Sequence, residues 1–453
     1  MEALIKAAQL ILSLSILVTI HEFGHFIAAR MFKTRVEKFY LFFDFLFPFP
    51  TLLNFALFKK QVGETEYGIG WFPLGGYVKI AGMIDESMDE EFLKSEPKPW
   101  EFRSKPAWQR LIIMLAGIIF NIILAFVIYC GMLYHYGAPA YIPAENATYG
   151  YAFDSTAHNL GFKDGDRILS YDGGEKMKIH GADNSIALEL LLNNAKTVEI
   201  EREGKPMSIS IPTSTYAEIM ANKDDILATP LFPCTVDSLA PGKPLERAGG
   251  KPGDQIVQLD STPVTSYAQF HKDIQQYKGK QITLVILRDT GRVTLTLTTT
   301  DSGLVGFVPA IERYLKPVEQ KYGFFASIPA GFRMTYEGLR DYLKQVRMIF
   351  NPQLKGYKQV GSFIMIAQQF SPTWDWYRFW RLTAFLSLAL AIANLLPIPA
   401  LDGGHALFTL VEMITGKTPS DKFIERAQVV GMILIFALMF LALKNDVVRL
   451  FFH

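Results

Sequence analysis

From Ala7 to Ala29 the only ionisable side chains are His21, Glu22 and His25, and nearly every other residue is apolar. A run of about 20 such residues matches the hydrocarbon thickness of a bilayer when it is helical. In lipid the backbone must satisfy its own hydrogen bonds, so the run is constrained to be a helix. Ionisable groups inside it are costly and mark function by default. The three form a His-Glu-x-x-His motif. On a helix His21 and His25 share a face and can grip one metal ion, and Glu22 beside them is placed to act as a general base on an activated water. Two blander readings compete. A signal peptide would use Lys6 as its basic head and residues 7–18 as its apolar core, but no clear cleavage site follows. Satisfied core histidines would leave two imidazoles and a carboxylate idle on one apolar helix, which desolvation disfavours.

Three further apolar runs follow: Leu111 to Tyr134, Leu382 to Leu401 and Ala427 to Leu443. With half of the 453 residues hydrophobic, the chain reads as a polytopic α-helical membrane protein with four transmembrane helices. Its net charge of +1 carries no signal for nucleic acid. Cys130 lies in an apolar run and Cys234 in a different kind of segment, which argues against a disulfide between them and leaves the redox compartment open. Gly117 and Asn121 lie one turn apart in the second run, a spacing that suits helix–helix packing. The third run breaks at Asn394-Leu395-Leu396-Pro397-Ile398-Pro399-Ala400-Leu401-Asp402. Freed backbone at membrane depth is tolerated only beside protein or a cavity. Asp402 arrives there and would complete a site of two histidines and one carboxylate with an open position for water. An ordinary helix cap is the competing reading of Asp402, and His405 is a rival ligand.

Residues 65–83 alternate and then resume after a turn, which predicts a β-hairpin or β-loop whose strand edge could hold an extended substrate, with a mere surface hairpin as the alternative. The aromatic stretch Phe39 to Phe58, broken by Pro48 and Pro50, reads as a re-entrant or interfacial segment, and residues 85–105 as charged and soluble. Between 138 and 310 an internal repeat appears: Leu160 to Leu169 matches Ala248 to Val257 at an offset of 88, with the same order of helix and closing strand pair in each copy (197–202 with 207–211, 281–288 with 292–299). Its Gly-Asp-x-Ile turn resembles PDZ domains, so two tandem PDZ-like α/β domains are expected, each a candidate groove for a peptide or C-terminus. Rigid spacers that bind nothing are the alternative. Residues 324–350 form an amphipathic helix for the membrane surface, and the aromatics of 363–380 suit the water–lipid interface.

The expected domains are 1–137 (first two spans, His-Glu-x-x-His and β-loop), 138–225 and 226–312 (PDZ-like), 313–380 (interfacial) and 381–453 (last two spans). Basic residues cluster after the first span (Arg30, Lys33, Arg35, Lys38, Lys59, Lys60), before the second (Arg103, Lys105, Arg110) and between the last two (Lys417, Lys422, Arg426). The positive-inside rule places these loops in the cytoplasm, the repeats and both termini outside, and the motif end of the first helix towards the cytoplasm.

His21-Glu22-Phe23-Gly24-His25, the Asn394-to-Gly403 segment ending in Leu-Asp-Gly, and the tandem repeats between them resemble the bacterial site-2 protease family, in its regulator-of-sigma-E type. The resemblance covers nearly the whole chain. It implies an intramembrane zinc metalloendopeptidase of the bacterial inner membrane, with one Zn2+ per chain held by His21, His25 and Asp402. Glu22 would be catalytic, and Asn394, Pro397, Pro399, Gly75, Gly76 and Tyr77 would contact substrate. The implied partners are the lipid bilayer and single-span membrane proteins, such as anti-sigma factors or remnant signal peptides, with the PDZ pair as a size filter. Three stretches depart from the family's pattern: Leu41–Pro50 lacks glycines, Gly361-Ser362-Phe363 replaces a Gly-Pro-Ile element, and no proline follows Gly117. The rival functions are a membrane-anchored PDZ scaffold with a structural zinc site and a zinc transporter. A scaffold needs no base at Glu22, and a transporter would spread its ligands along a path.

Overall fold

The computed structural model describes residues 1–46, 53–73, 75–83, 96–179, 185–221, 227–289, 291–352, 354, 356 and 360–452. Pro48, Pro50, Leu74 and residues 84–95 of the expected charged segment lie outside them. The chain forms two compact units. One comprises Met1–Gly137, Lys321–Phe350 and Gly356–His453; the other comprises Ala138–Gln320 and Asn351–Lys355.

In the first unit, helix α1 (Glu2–Met31) buries one seam, Gln9, Ser13, Leu17, His21 and His25, at a constant spacing of four. Helix α2 (Ala107–His135) packs against α1, α3 (Phe324–Ile349), α5 (Trp376–Leu395) and α6 (Asp402–Thr415). The short α4 (Phe363–Gln369) precedes α5, and α7 (Asp421–Phe452) ends the chain. Among the described residues, α1, α2 and the Lys422–Val448 part of α7 are long and apolar enough to cross a membrane. Lipid gives helices little hydrophobic reason to associate, so close approach and hydrogen bonds do the work. Small residues allow the approach. A side chain at Gly24 would strike the Ala116 carbonyl, and one at Gly331 would strike Cys130. Hydrogen bonds then tie α1 and α2 to the α5 region: Gln9 Nε2 donates to the Ser371 carbonyl at 2.8 Å, Thr383 Oγ1 to Ser13 Oγ at 3.0 Å, and Ser387 Oγ to the Asn121 carbonyl at 2.7 Å.

The third apolar run differs from its expected bounds. The helix begins at Trp376, where the Asp375 carboxylate accepts the Arg378 N–H, and ends at Leu395. Pro397 forces the residue before it out of the helical region, so residues 396–401 form a turn and not the end of a span. Phe370 and Phe379, expected at the interface, are fully buried. The amphipathic helix α3 turns its small residues Ser327, Gly331 and Thr335 inward and leaves Phe325, Phe332 and Tyr336 exposed.

The expected hairpin over 65–83 is also corrected. Strands β1 (Val36–Leu41), β2 (Ala56–Val62), β3 (Thr65–Gly70) and β4 (Tyr77–Ile80) form one sheet in the order β2-β3-β1-β4. The hairpin is β2–β3, turning at Gly63-Glu64, while β1 separates β3 from β4 and runs parallel to β3 and antiparallel to β4. Part of the aromatic stretch read as interfacial is therefore strand: Phe39 and Tyr40 belong to β1. The stretch reads as apolar because neither face of β1 is exposed, its residues all being buried or half-buried, which removes the polar alternation of a surface strand.

In the second unit two four-stranded sheets repeat one order. The first runs 205–210, 197–202, 167–171, 175–176, and the second runs 291–298, 281–288, 255–259, 262–263. The same staple recurs in each. Arg202 Nε and Nη2 donate to Asp166 at 2.7 and 2.6 Å, and Arg288 donates likewise to Asp254 at 2.8 and 2.8 Å. Each arginine also donates to a glycine carbonyl, Gly161 or Gly249, at 2.8 Å. Each aspartate accepts the N–H of a lysine three residues before it, Lys163 or Lys251. Burial alone would raise both carboxyls, but the arginine hydrogen bonds and these N–H groups outweigh it and hold them below the ordinary carboxylate value. A depressed carboxyl contributes stability that is present above the unfolded value of about 4 and is lost as pH falls through the folded value. Hydrogen exchange at 167–171 and 255–259 in the full chain, corrected for the intrinsic rate, should therefore accelerate as pH falls below about 4. Asp254→Asn should remove that acceleration at 255–259 and leave 167–171 unchanged; equal pH dependence at both strands in the variant would contradict the staple.

Candidate metal centre

The buried seam of α1 passes through His21 and His25, whose ring centroids lie 4.8 Å apart in an edge-to-face arrangement. Their Nε2 atoms approach to 3.3 Å. Asp402 Oδ2 lies 3.1 Å from His21 Nε2 and 3.4 Å from His25 Nε2. That oxygen is buried without an aligned hydrogen bond. Three lone-pair-bearing atoms thus face one point. Ligands of a tetrahedral zinc with bonds of 2.0–2.1 Å stand about 3.3 Å from one another. The donor set and its spacing fit zinc. Among the described residues, this is the one group of three such side chains within ligand distance of each other.

Each side chain is placed by local structure. His25 Nδ1 lies 2.8 Å from the Ile113 carbonyl of α2, which fixes that ring with Nε2 turned to the cluster. His21 Nδ1 lies 3.2 Å from Asn121 Nδ2, and His21 Nε2 lies 3.2 Å from Asn394 Nδ2 at the end of α5. Gly117 supplies the floor: a side chain there would collide with His25 Nε2 and with His21 Cε1 and Nδ1. Asp402 opens α6 because the 396–401 turn folds back on it. Side chains at Gly403 or Gly404 would strike the backbone of Leu395, Leu396 and Ile398, and Ala400 holds a left-handed φ of +82°. The α7 helix touches this turn through Gly431, where any side chain would overlap the Pro399 carbonyl. At the far end of α6, Glu412 pairs with Arg110 of α2, which anchors the helix that presents Asp402.

The remaining expected residues separate. Glu22 is half-buried beside His21 and interacts electrostatically with His25. His405, the rival ligand, points elsewhere: its Nε2 lies 3.0 Å from Gln428 on α7. Asn394 touches the cluster, whereas Pro397 and Pro399 shape the turn. Gly75, Gly76 and Tyr77 lead into β4. A side chain at Gly76 would strike Val18, one turn before His21, so this edge strand begins against the motif helix. Tyr77 is only 3% exposed and donates to Asp44 Oδ1 at 3.0 Å, so its side chain is a sheet support and not a free contact surface. Gly117 and the Ile113 carbonyl were not legible as site groups. The spacing from Gly117 to Asn121 was visible and read as packing, slightly ahead of a direct catalytic role for Asn121.

The Peptidase family M50 profile matches residues 9–438. The chain is 28% identical over 469 residues to "Regulator of sigma-E protease RseP" of Escherichia coli, covering 98% of each. It is 28% identical over 484 residues to "Protease RseP" of Yersinia pestis, covering 99% of this chain and all of that one. It is 29% identical over 457 residues to a "Putative zinc metalloprotease" of Xylella fastidiosa, covering 96% and 97%. Gly117→Val should lower the zinc content of the purified protein at least about tenfold while leaving its helix content unchanged. Zinc content equal to wild type would show that the floor beneath the rings is not required.

Proposed function

The chain belongs to peptidase family M50 and is an intramembrane zinc metalloprotease, and on that premise we propose that one Zn2+ per chain is held by His21, His25 and Asp402, with Glu22 as the catalytic base. The observation that carries this assignment is the mutual spacing of 3.1, 3.3 and 3.4 Å among the three ligand atoms. Zinc, when bound, supplies a Lewis acid that acidifies water and polarises a peptide carbonyl. Glu22 takes a proton from the attacking water and delivers it to the leaving amine. Asn394, whose amide faces His21 Nε2, sits where it can donate to substrate backbone once the imidazole lone pair is engaged.

The substrates we propose are transmembrane segments of single-span proteins, in the manner of site-2 cleavage of anti-sigma factors or remnant signal peptides. The name of the Escherichia coli relative, a regulator of sigma-E protease, links that protein to sigma-factor control and is the ground for naming anti-sigma factors. A helical segment hides its carbonyls in its own hydrogen bonds, so it must be held extended to be cut. Edge strand β4, which follows Gly75-Gly76 and starts against α1, is the element we assign to that task. The 396–401 turn, with Pro397 and Pro399, borders the ligand Asp402. We further assign α5 as a fourth membrane span and place the chain in the inner membrane with basic loops inside. The two repeats are PDZ-like domains acting outside as a size filter. The repeated strand order and arginine–aspartate staple support reading them as one domain type. A membrane-anchored scaffold with a structural zinc is disfavoured by the family and by a carboxylate placed beside the two histidines.

Two variants separate metal from chemistry. Glu22→Gln should keep its zinc and lose at least about 100-fold in cleavage of a single-span substrate. Wild-type cleavage by that variant would remove Glu22 from the mechanism. Asp402→Asn should lose zinc affinity at least about tenfold, read by chelator competition. Unchanged affinity would refute its role as a ligand.

A further inference from the structure

Asn121 is fully buried on α2, and its Oδ1 is one of the buried polar atoms without a hydrogen-bond partner. Its Nδ2 lies 3.2 Å from His21 Nδ1. The other nitrogen of that ring, Nε2, lies within 3.3 Å of Asp402, His25 and Asn394. Nε2 is therefore the nitrogen that must offer a lone pair to the cluster. A neutral imidazole then carries its proton on Nδ1 and needs an acceptor there. With Nδ2 towards the ring, a donor would face a donor while the amide oxygen stood idle in a low-dielectric interior. A half-turn of the amide exchanges its two ends at no cost in shape, and the two ends are distinguished only by their hydrogen bonds. It resolves both faults at the ring: Oδ1 accepts the proton of Nδ1, and the orphaned acceptor is used.

We infer that Asn121 is the positioning residue for His21, with its amide oxygen fixing the Nδ1–H tautomer and so directing Nε2 into the metal site. The inference rests on the reading of His21 as a ligand. The seat of Asn121 is itself held: its carbonyl accepts Ser387 Oγ at 2.7 Å, which locks this turn of α2 to α5. The ring passes over Gly117, where any added Cβ would meet Cε1 and Nδ1. The neighbouring ligand uses a different device for the same end, since His25 Nδ1 meets the Ile113 backbone carbonyl at 2.8 Å. A side-chain acceptor can be removed by mutation where a backbone one cannot, so the two histidines should respond unequally.

The test uses the purified full chain. Zinc affinity is read by chelator competition, and the ligand field by the visible spectrum of the Co2+-loaded protein. Asn121→Leu, of similar volume but without an acceptor, should lose zinc affinity about 10–100-fold and shift the Co2+ absorption bands. Asn121→Asp, an acceptor of the same shape, should recover most of that loss. Wild-type affinity and spectrum in Asn121→Leu, or equal losses in both variants, would overturn the inference and leave Asn121 a packing residue. A wild-type chain that takes up no Co2+ would overturn the metal reading with it. Should both variants fail to fold, histidine-selective 15N NMR of the zinc-loaded wild-type protein decides: a hydrogen-bonded proton on Nδ1 of His21 supports the assignment, and a proton on Nε2 overturns it.

Discussion

Three lone pairs pointing at one another inside a membrane protein are a fault unless a cation sits among them. That mutual repulsion is the constraint from which the rest of the first unit follows. His21 and His25 come from one helix and need only its four-residue spacing. Asp402 comes from the other end of the chain, and bringing it within 3.4 Å of both rings requires the whole bundle. The approach is made by deleting side chains: Gly24 and Gly117 let α2 lie against the motif, and Gly403, Gly404 and Gly431 let the turn before α6 fold between helices. Each glycine lowers intrinsic helix stability by about 1 kcal/mol. The close contacts and the interhelical hydrogen bonds they permit offset that in an environment where hydrophobic association is weak.

The polar residues of the bundle have the same logic. Ser13 with Thr383 and Ser387 with the Asn121 carbonyl are buried hydrogen bonds between α1 or α2 and α5. They set the register of α5, hence the depth of Asn394 and of the turn beyond it. The Arg110–Glu412 pair sets the other end of α6. The Asp402 carboxylate is thus fixed from both directions, and a slip of one helical turn, about 5.4 Å, would take it out of reach of the two imidazoles.

The parts legible in the sequence are those whose signal is local. His-Glu-x-x-His is visible because a helix repeats every 3.6 residues, and the repeats at 160–169 and 248–257 because both copies need the same turn. The sheet was less legible. Period-two alternation marks a strand with one wet face, but β1 lies between two neighbours and its Phe39-Tyr40 pair reads as generic apolar sequence. The true hairpin, β2–β3, was missed because the turn signal of Gly75-Gly76 is stronger than that of Gly63-Glu64. Leu382–Leu401 was misplaced for a related reason: hydropathy counts residues through a proline, whereas the backbone stops before it. Non-local roles left little trace. Ile113 acts through its carbonyl, which any residue would supply, and Gly117 acts by lacking a side chain.

The sheet and the metal centre belong to one device, because the same helix face serves both. Val18 receives the start of β4 one turn before His21 enters the ligand cluster. Strand β4, last in the sheet order, thus starts alongside the helix that carries the His-Glu-x-x-His motif. Its side chains would add little to recognition, because Tyr77 is committed to Asp44 and stacks on Tyr40 with ring centroids 5.4 Å apart. On the proposed assignment, a strand anchored by its side chains would meet substrate through its backbone and so select an extended conformation more than a sequence. That is the selectivity a protease of membrane helices needs, since what separates a cleavable segment from an intact helix is the freedom of its carbonyls and not the identity of its residues.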